Sequence, residues 1–127
     1  MFNINQNGII VMTRGDTWES NIFVNLGTKV NPLPYVLTEN DYLYFGVMEA
    51  NVPFDCSLIR KKIDMSACAD PSERPAGYYK ISFNHDDTSH VMPGNYYYEV
   101  KLLRKNPENG VEKVDTIIPR TKFVILE

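Results

Sequence analysis

From Tyr96 to Leu103 the chain alternates with a period of two. Tyr96, Tyr98, Val100 and Leu102 fall on one face of an extended backbone, and Tyr97, Glu99 and Lys101 fall on the other. Only a β-strand has that period, because successive side chains leave a pleated backbone on opposite sides. A strand with one apolar face commits the chain to further strands that complete a sheet and bury that face. The same alternation recurs over 42–48, where Leu43, Phe45 and Val47 share a face and Tyr42, Tyr44 and Met48 lie opposite, and over 79–83, where Tyr79, Ile81 and Phe83 lie together. Gly46 in mid-strand predicts a bulge or a close backbone approach. Ile9 to Thr13 reads as a short strand. Trp18 to Leu26 places Trp18, Ile22, Val24 and Leu26 on one side, with Phe23 breaking the pattern. Val111 to Ile118 and Lys122 to Leu126 are predicted as the last two strands, separated at Pro119-Arg120 because proline has no N–H to give to a ladder. Leu58 to Ile63 is a weaker strand, and its Arg60-Lys61-Lys62 run is the kind of charge that blunts an exposed edge.

The segments between these runs carry turn chemistry: Gly27 to Pro34, Asn51-Val52-Pro53, Pro93-Gly94, and Asn106-Pro107-Glu108-Asn109-Gly110. Asp64 to Gly77 is the longest irregular stretch. Helix is confined to a turn near Ala67 to Ser72 and another at Asp86 to His90. Short strands spaced by turns about every ten residues predict an all-β sandwich or barrel. The 127 residues suit one domain, 1–127, large enough to hold a core without covalent staples. Tyr96, two residues after Gly94, suits a tyrosine corner, in which the hydroxyl ties a loop to the end of a sandwich.

The charge balance narrows the function classes. Thirteen basic against sixteen acidic residues give a net charge of −3, which offers no concentrated basic face for a phosphate backbone. No apolar run approaches the roughly 20 residues of a membrane-spanning helix, and the first residues do not read as a secretion signal. The expected setting is a cytosol, where Cys56 and Cys68 stay as free thiols; they also lack the paired spacing of a zinc site.

Candidate chemistry is sparse. His85-Asp86-Asp87-Thr88-Ser89-His90 is the most metal-like cluster, but histidines five apart do not share a helix face, and the aspartates suit a capped helical turn. Arg14-Gly15-Asp16 spells an adhesion tripeptide and reads better as a tight turn whose glycine supplies a positive φ. There is no Gly-x-Ser-x-Gly elbow and no glycine-rich phosphate loop. Asp41, Glu49, Asp55 and Glu99 are the carboxylates open to paired acid–base work. The expectation is a non-enzymatic binding or assembly module without catalytic residues, metal or cofactor. Its candidate interaction surface is aromatic, formed by Tyr42, Tyr44 and Tyr97, with Tyr78 beside them, because tyrosine combines apolar area with a polar tip.

An ordered series of segments then points further: Arg14-Gly15-Asp16-Thr17 ahead of an amphipathic strand; Pro34-Tyr35-Val36-Leu37-Thr38 before Tyr44-Phe45-Gly46-Val47; Gly77-Tyr78-Tyr79; Asp87-Thr88; Pro93-Gly94-Asn95-Tyr96-Tyr97-Tyr98-Glu99; Thr116; and Phe123-Val124-Ile125. In this order the chain resembles the N-terminal domain of the upper baseplate protein of tailed phages of Gram-positive bacteria. The resemblance implies an immunoglobulin-like antiparallel sandwich of about eight short strands. It also implies a place in the virion tail after assembly in the bacterial cytoplasm, and docking to other tail or baseplate proteins or to copies of itself. It implies no catalysis and no cofactor, and no nucleic-acid or membrane partner is expected. Family members continue into a linker and further domains, whereas this sequence ends at Glu127, so the expectation is a stand-alone tail or prophage structural protein. The alternative is a carbohydrate-binding or surface-adhesion module that uses the exposed aromatics.

Overall fold

In the computed structural model, residues 2–4, 8–27, 30, 31, 33–63 and 77–127 are described, the first three as backbone alone. Among them the strands are β1 (Phe2–Ile4), β2 (Ile10–Thr13), β3 (Trp18–Phe23), β4 (Asp41–Met48), β5 (Ile59–Ile63), β6 (Tyr78–Phe83), β7 (Gly94–Lys105) and β8 (Glu112–Leu126). A 3-10 turn, Phe54–Cys56, precedes β5, and a single helical turn, α1 (His85–Thr88), joins β6 to β7. The protein is all-β. Six strands form one sheet in the order β1-β2-β8-β7-β4-β5, and β3 pairs with β6 in a second sheet.

The alternating runs become β4, β6 and β7, each with its predicted apolar face buried. Both large-sheet ladders of β7 are antiparallel, with Phe45 opposite Val100 and Tyr96 opposite Phe123. Two expectations need correction. The sheet is mixed rather than wholly antiparallel, because β2 lies parallel to the end of β8, Ile10 beside Phe123 and Thr13 beside Leu126. The two final strands are also one strand, running through Pro119. Between Tyr98, which faces Thr121, and Lys101, which faces Thr116, the register slips twice, each time by one extra residue on β8. Pro119 sits in that bulged stretch, where its missing N–H costs no ladder bond.

Among the described residues β5 pairs only with β4, so the Arg60-Lys61-Lys62 strand is an edge there. β3 ends at Phe23, short of the predicted Leu26, and Phe23 faces away from the core. Its ring stacks on Tyr78, its cross-strand partner, with centroids 4.7 Å apart. That pairing explains the break in alternation, since the outer face of the small sheet carries its own aromatic pair. The turn suggested at Ala67 to Ser72, Cys68 and nearly all of the Asp64 to Gly77 stretch lie outside the described residues.

The two sheets meet through rings. Trp18 of β3 stacks on Phe83 of β6 at 4.5 Å, and both meet Phe45 of β4 edge-on at 6.5 and 5.7 Å. Phe45 stacks in turn on Tyr98 at 5.2 Å, and Phe123 of β8 lies 6.1 Å from Phe83. Leu43, Val47, Val100, Leu102, Ile10, Met12 and Ile81 fill the space around them. Each ring buried in this way contributes about 1.5–3 kcal/mol, and each well-placed ring pair adds about 0.5–1.5 kcal/mol.

Buried hydroxyls pin the loops to this core. Tyr96 donates to the carbonyl of Met92 at 2.6 Å, the geometry expected of a tyrosine corner. Tyr79, fully buried, accepts from Leu37 N–H at 2.6 Å and donates to the Tyr35 carbonyl at 2.8 Å, so it holds the segment ahead of β4. Tyr98 donates to the carbonyl of Gly8, and its burial raises the phenol pKa. Tyr96→Phe leaves the Met92 carbonyl without its partner. It is expected to lower stability by about 1–2 kcal/mol, read as a melting temperature roughly 3–8 °C lower; an unchanged melt would refute the corner's role.

Candidate functional site

The outer face of the large sheet carries two of the three candidate tyrosines side by side. Tyr42 and Tyr44 of β4 have ring centroids 6.5 Å apart. Tyr97 does not join them. Tyr44 faces Lys101 across the ladder, and Tyr97 lies four residues from Lys101 along β7, about 13 Å at strand rise. Nor are the rings open. Lys62 sits 4.0 Å over Tyr42, and the Arg60 guanidinium sits 4.8 Å over Tyr44 and 5.2 Å over Phe54. Lys101 approaches Phe54 from the other side at 5.5 Å. The basic run of β5 thus covers the aromatic faces of its neighbour, because residues two apart on adjacent strands align on one side of the sheet.

This layer continues as a closed polar network. Glu99 accepts from Arg120 at 2.8 Å and pairs with Lys101 at 3.5 Å. Arg120 also donates to the Val52 carbonyl at 2.7 Å and lies against the Met48 sulfur. Met48, on the outer face, is therefore fully buried. Gly46 explains how Phe54 reaches the sheet: a Cβ there would lie 2.7 Å from the Phe54 ring and 2.5 Å from Ser57 Oγ. The close-approach reading of this glycine holds.

At one end of the molecule the metal-like cluster is spent on structure. Asp87 accepts from Asn84 N–H at 2.7 Å, the reach-back of a capping box, and binds Lys61 at 2.7 Å. Burial opposes its charge, but the Lys61 ammonium and the Asn84 N–H outweigh that and hold its carboxyl below the usual range. His85 Nδ1 lies 2.8 Å from the Gly15 carbonyl, and the buried Thr88 hydroxyl accepts from Gly15 N–H at 2.8 Å. Arg14-Gly15-Asp16 is the predicted turn: Asp16 N–H bonds the Thr13 carbonyl at 3.1 Å, and Gly15 has φ +83°. The tripeptide and the histidine turn, distant in sequence, are two halves of one clamp. Among the described residues no group of three or more histidine, cysteine or acidic side chains could hold a metal ion. Cys56 is exposed in the 3-10 turn and unpaired.

At the other end Asp41, 3% exposed, accepts from the Tyr35 hydroxyl at 2.6 Å and from Thr38 N–H and Oγ1 at 2.9 and 3.0 Å. Burial, followed by the neighbouring carboxylate, pushes the Tyr35 phenol up to about 12. Arg104 lies 5.6 Å over the Tyr35 ring and binds Asp115 at 2.5 Å. The other carboxylates open to acid–base work, Glu49 and Asp55, are exposed and on separate segments, and Glu99 is engaged as above. Between the layers an apolar cleft of about 480 Å³ is lined by Trp18, Ile22, Phe23, Ile118 and Pro119, among others.

The feature that sequence reading missed is the free side of β8. β2 covers only its last four residues, Phe123–Leu126. Among the described residues nothing pairs with the opposite edge of the Glu112–Ile118 stretch. The hairpin closes with Asn106 N–H on the Val111 carbonyl at 2.9 Å. In an antiparallel ladder bonded positions alternate, so Val111, Lys113 and Asp115 bond to β7, while the N–H and C=O groups of Glu112, Val114 and Thr116 point outward. Val111 and Val114 are 61% and 56% exposed beside that edge. The alternation of charge and apolar residues here reads equally well as an interior strand, so only the topology reveals the edge.

No family model, no curated protein and no solved structure matches this chain. Among the described residues no helix is long and apolar enough to cross a membrane.

Gly46→Ala must push Phe54 and Ser57 off the sheet, and a loss of roughly 1–3 kcal/mol is expected, checked by chemical denaturation. The Asp87 carboxyl, lowered in the folded state, contributes stability that is present above its unfolded pKa of about 3.9 and is lost as pH falls through the folded value. Lys61→Met should therefore lower the melting temperature at pH 7, and the loss should shrink as acid protonates Asp87; a loss that does not change with pH would show that Lys61 acts by packing alone.

Proposed function

We propose that this chain is a non-enzymatic structural module of a phage or prophage tail baseplate, an immunoglobulin-like sandwich that docks other tail proteins. The observation that carries the docking reading is the backbone edge of β8, uncovered among the described residues, with Val111 and Val114 exposed beside it. Unpaired strand edges are ready templates for another chain, and folds that do not use them cover or bulge them. Here the bulges begin only past Thr116.

The tail setting is supported by the ordered resemblance, whose segments occupy structural roles. Gly15 makes the turn into β3, Tyr79 anchors the segment before β4, and Tyr96 forms the corner that opens β7. That corner also supports the immunoglobulin-like form of the sandwich. The carbohydrate-binding alternative is supported less well, because a sugar stacking on Tyr42 or Tyr44 would first have to displace Lys62 or Arg60.

Antibodies to the protein should label one end of the tailed particles produced from the genome that encodes it, and crosslinking there should tie the chain to other tail proteins. Unlabelled particles, together with glycan binding that Tyr42→Ala or Tyr97→Ala abolishes, would replace this reading with carbohydrate recognition.

A further inference from the structure

We infer that the free edge of β8 pairs antiparallel with the same edge of a second copy, about a two-fold axis between the two Val114 residues, so that two large sheets become one. The inference deepens the assembly reading, on which it rests, by naming the partner and the register. It follows from which backbone groups face outward and from the charges between them.

The outward N–H and C=O groups belong to Glu112, Val114 and Thr116. A two-fold pairing must oppose these positions to each other, which leaves three central registers. Centring on Lys113 sets two ammonium groups face to face, and centring on Asp115 does the same to two carboxylates. Centring on Val114 opposes Val114 to Val114 and Glu112 to Thr116. Lys113 then faces Asp115 of the other copy, twice by symmetry. Like charges directly opposite are destabilising and unlike charges stabilising in cross-strand positions, so the sequence selects this register.

The side chains are placed for it. Asp115 faces Leu102 across the ladder and Lys113 faces Arg104, so both lie on the same side of the sheet. Asp115 already holds Arg104 at 2.5 Å, and the ammonium of a second Lys113 would complete an alternating row of charges. Among the described residues Lys113 makes no ion pair within the chain. Val114 faces Leu103 on the opposite side, and its exposed side chain is covered by its symmetry mate. Edge charges ordinarily repel a second strand; here their signs alternate so that only a two-fold copy in this register satisfies them. The β8 bulges past Thr116 limit the shared ladder to a short stretch, so the dimer is expected to be concentration-dependent.

Sedimentation equilibrium from about 10 µM to about 1 mM should show monomer passing to dimer. Lys113→Glu and Asp115→Lys should each weaken the dimer about tenfold by opposing like charges. An equimolar mixture of these two variants should form a heterodimer more tightly than either alone, because Glu faces Lys and Asp faces Lys across that mixed edge. Asp115→Lys also loses its Arg104 contact, so its fold is checked by near-UV circular dichroism. Val114→Lys, on an exposed position, provides an independent disruption and should also give monomer. A chain monomeric at all concentrations, or a mixture no tighter than its components, overturns the pairing. If that monomer is still found at the tail tip, the assembly reading stands without it; absence from the particles would remove the assembly reading separately.

Discussion

The structure depends on the stacking of Trp18 and Phe83 against Phe45 and Tyr98. A two-stranded sheet has little stability of its own, and β3-β6 is such a pair. It holds its place because two of its largest side chains lie on the rings of the larger sheet. Everything that β3 and β6 position then follows: the turn at Gly15, the helical turn at His85–Thr88, and the segment held by Tyr79. The rings also set the spacing of the layers, so hydroxyls at Tyr79, Tyr96 and Tyr98 reach loop carbonyls without a bridging water.

Much of this was legible in the residues. Alternation located β4, β6 and β7 and named their buried faces, since a period of two has one structural meaning. Gly46, Gly15 and Tyr96 were read correctly because each has a local steric or hydrogen-bonding cause. What failed was non-local. Pro119 looked like a strand break because proline removes a ladder bond; the sheet instead absorbs it in a bulge, and whether a bulge or a break results depends on the partner strand. The parallel pairing of β2 with β8 has no signature in either segment alone. Phe23 seemed out of phase until Tyr78 appeared opposite it.

The candidate tyrosines teach a similar lesson. Tyr42 and Tyr44 were placed correctly on the outer face, but their accessibility is decided by Arg60 and Lys62 on the next strand. Those two residues serve the edge and the rings together: the charge that keeps β5 from pairing also lies over the aromatic faces of β4. The two long sides of the large sheet are therefore treated differently. β5 is armoured by its own cations, while β8 leaves outward backbone groups between residues of alternating sign.

The parallel contact between β2 and the end of β8 has a consequence for the order of folding. Ile10 to Thr13 lie next to Phe123 to Leu126, and Arg14 N–H bonds the Leu126 carbonyl. These partners are separated by nearly the whole sequence. Until β8 is in place, β2 has no neighbour on that side and the sheet cannot close. Closure of the sheet therefore waits on a slow search dominated by distant pairings. Until then the apolar side chains of Ile10 and Met12, buried in the closed sheet, stay open to chaperones.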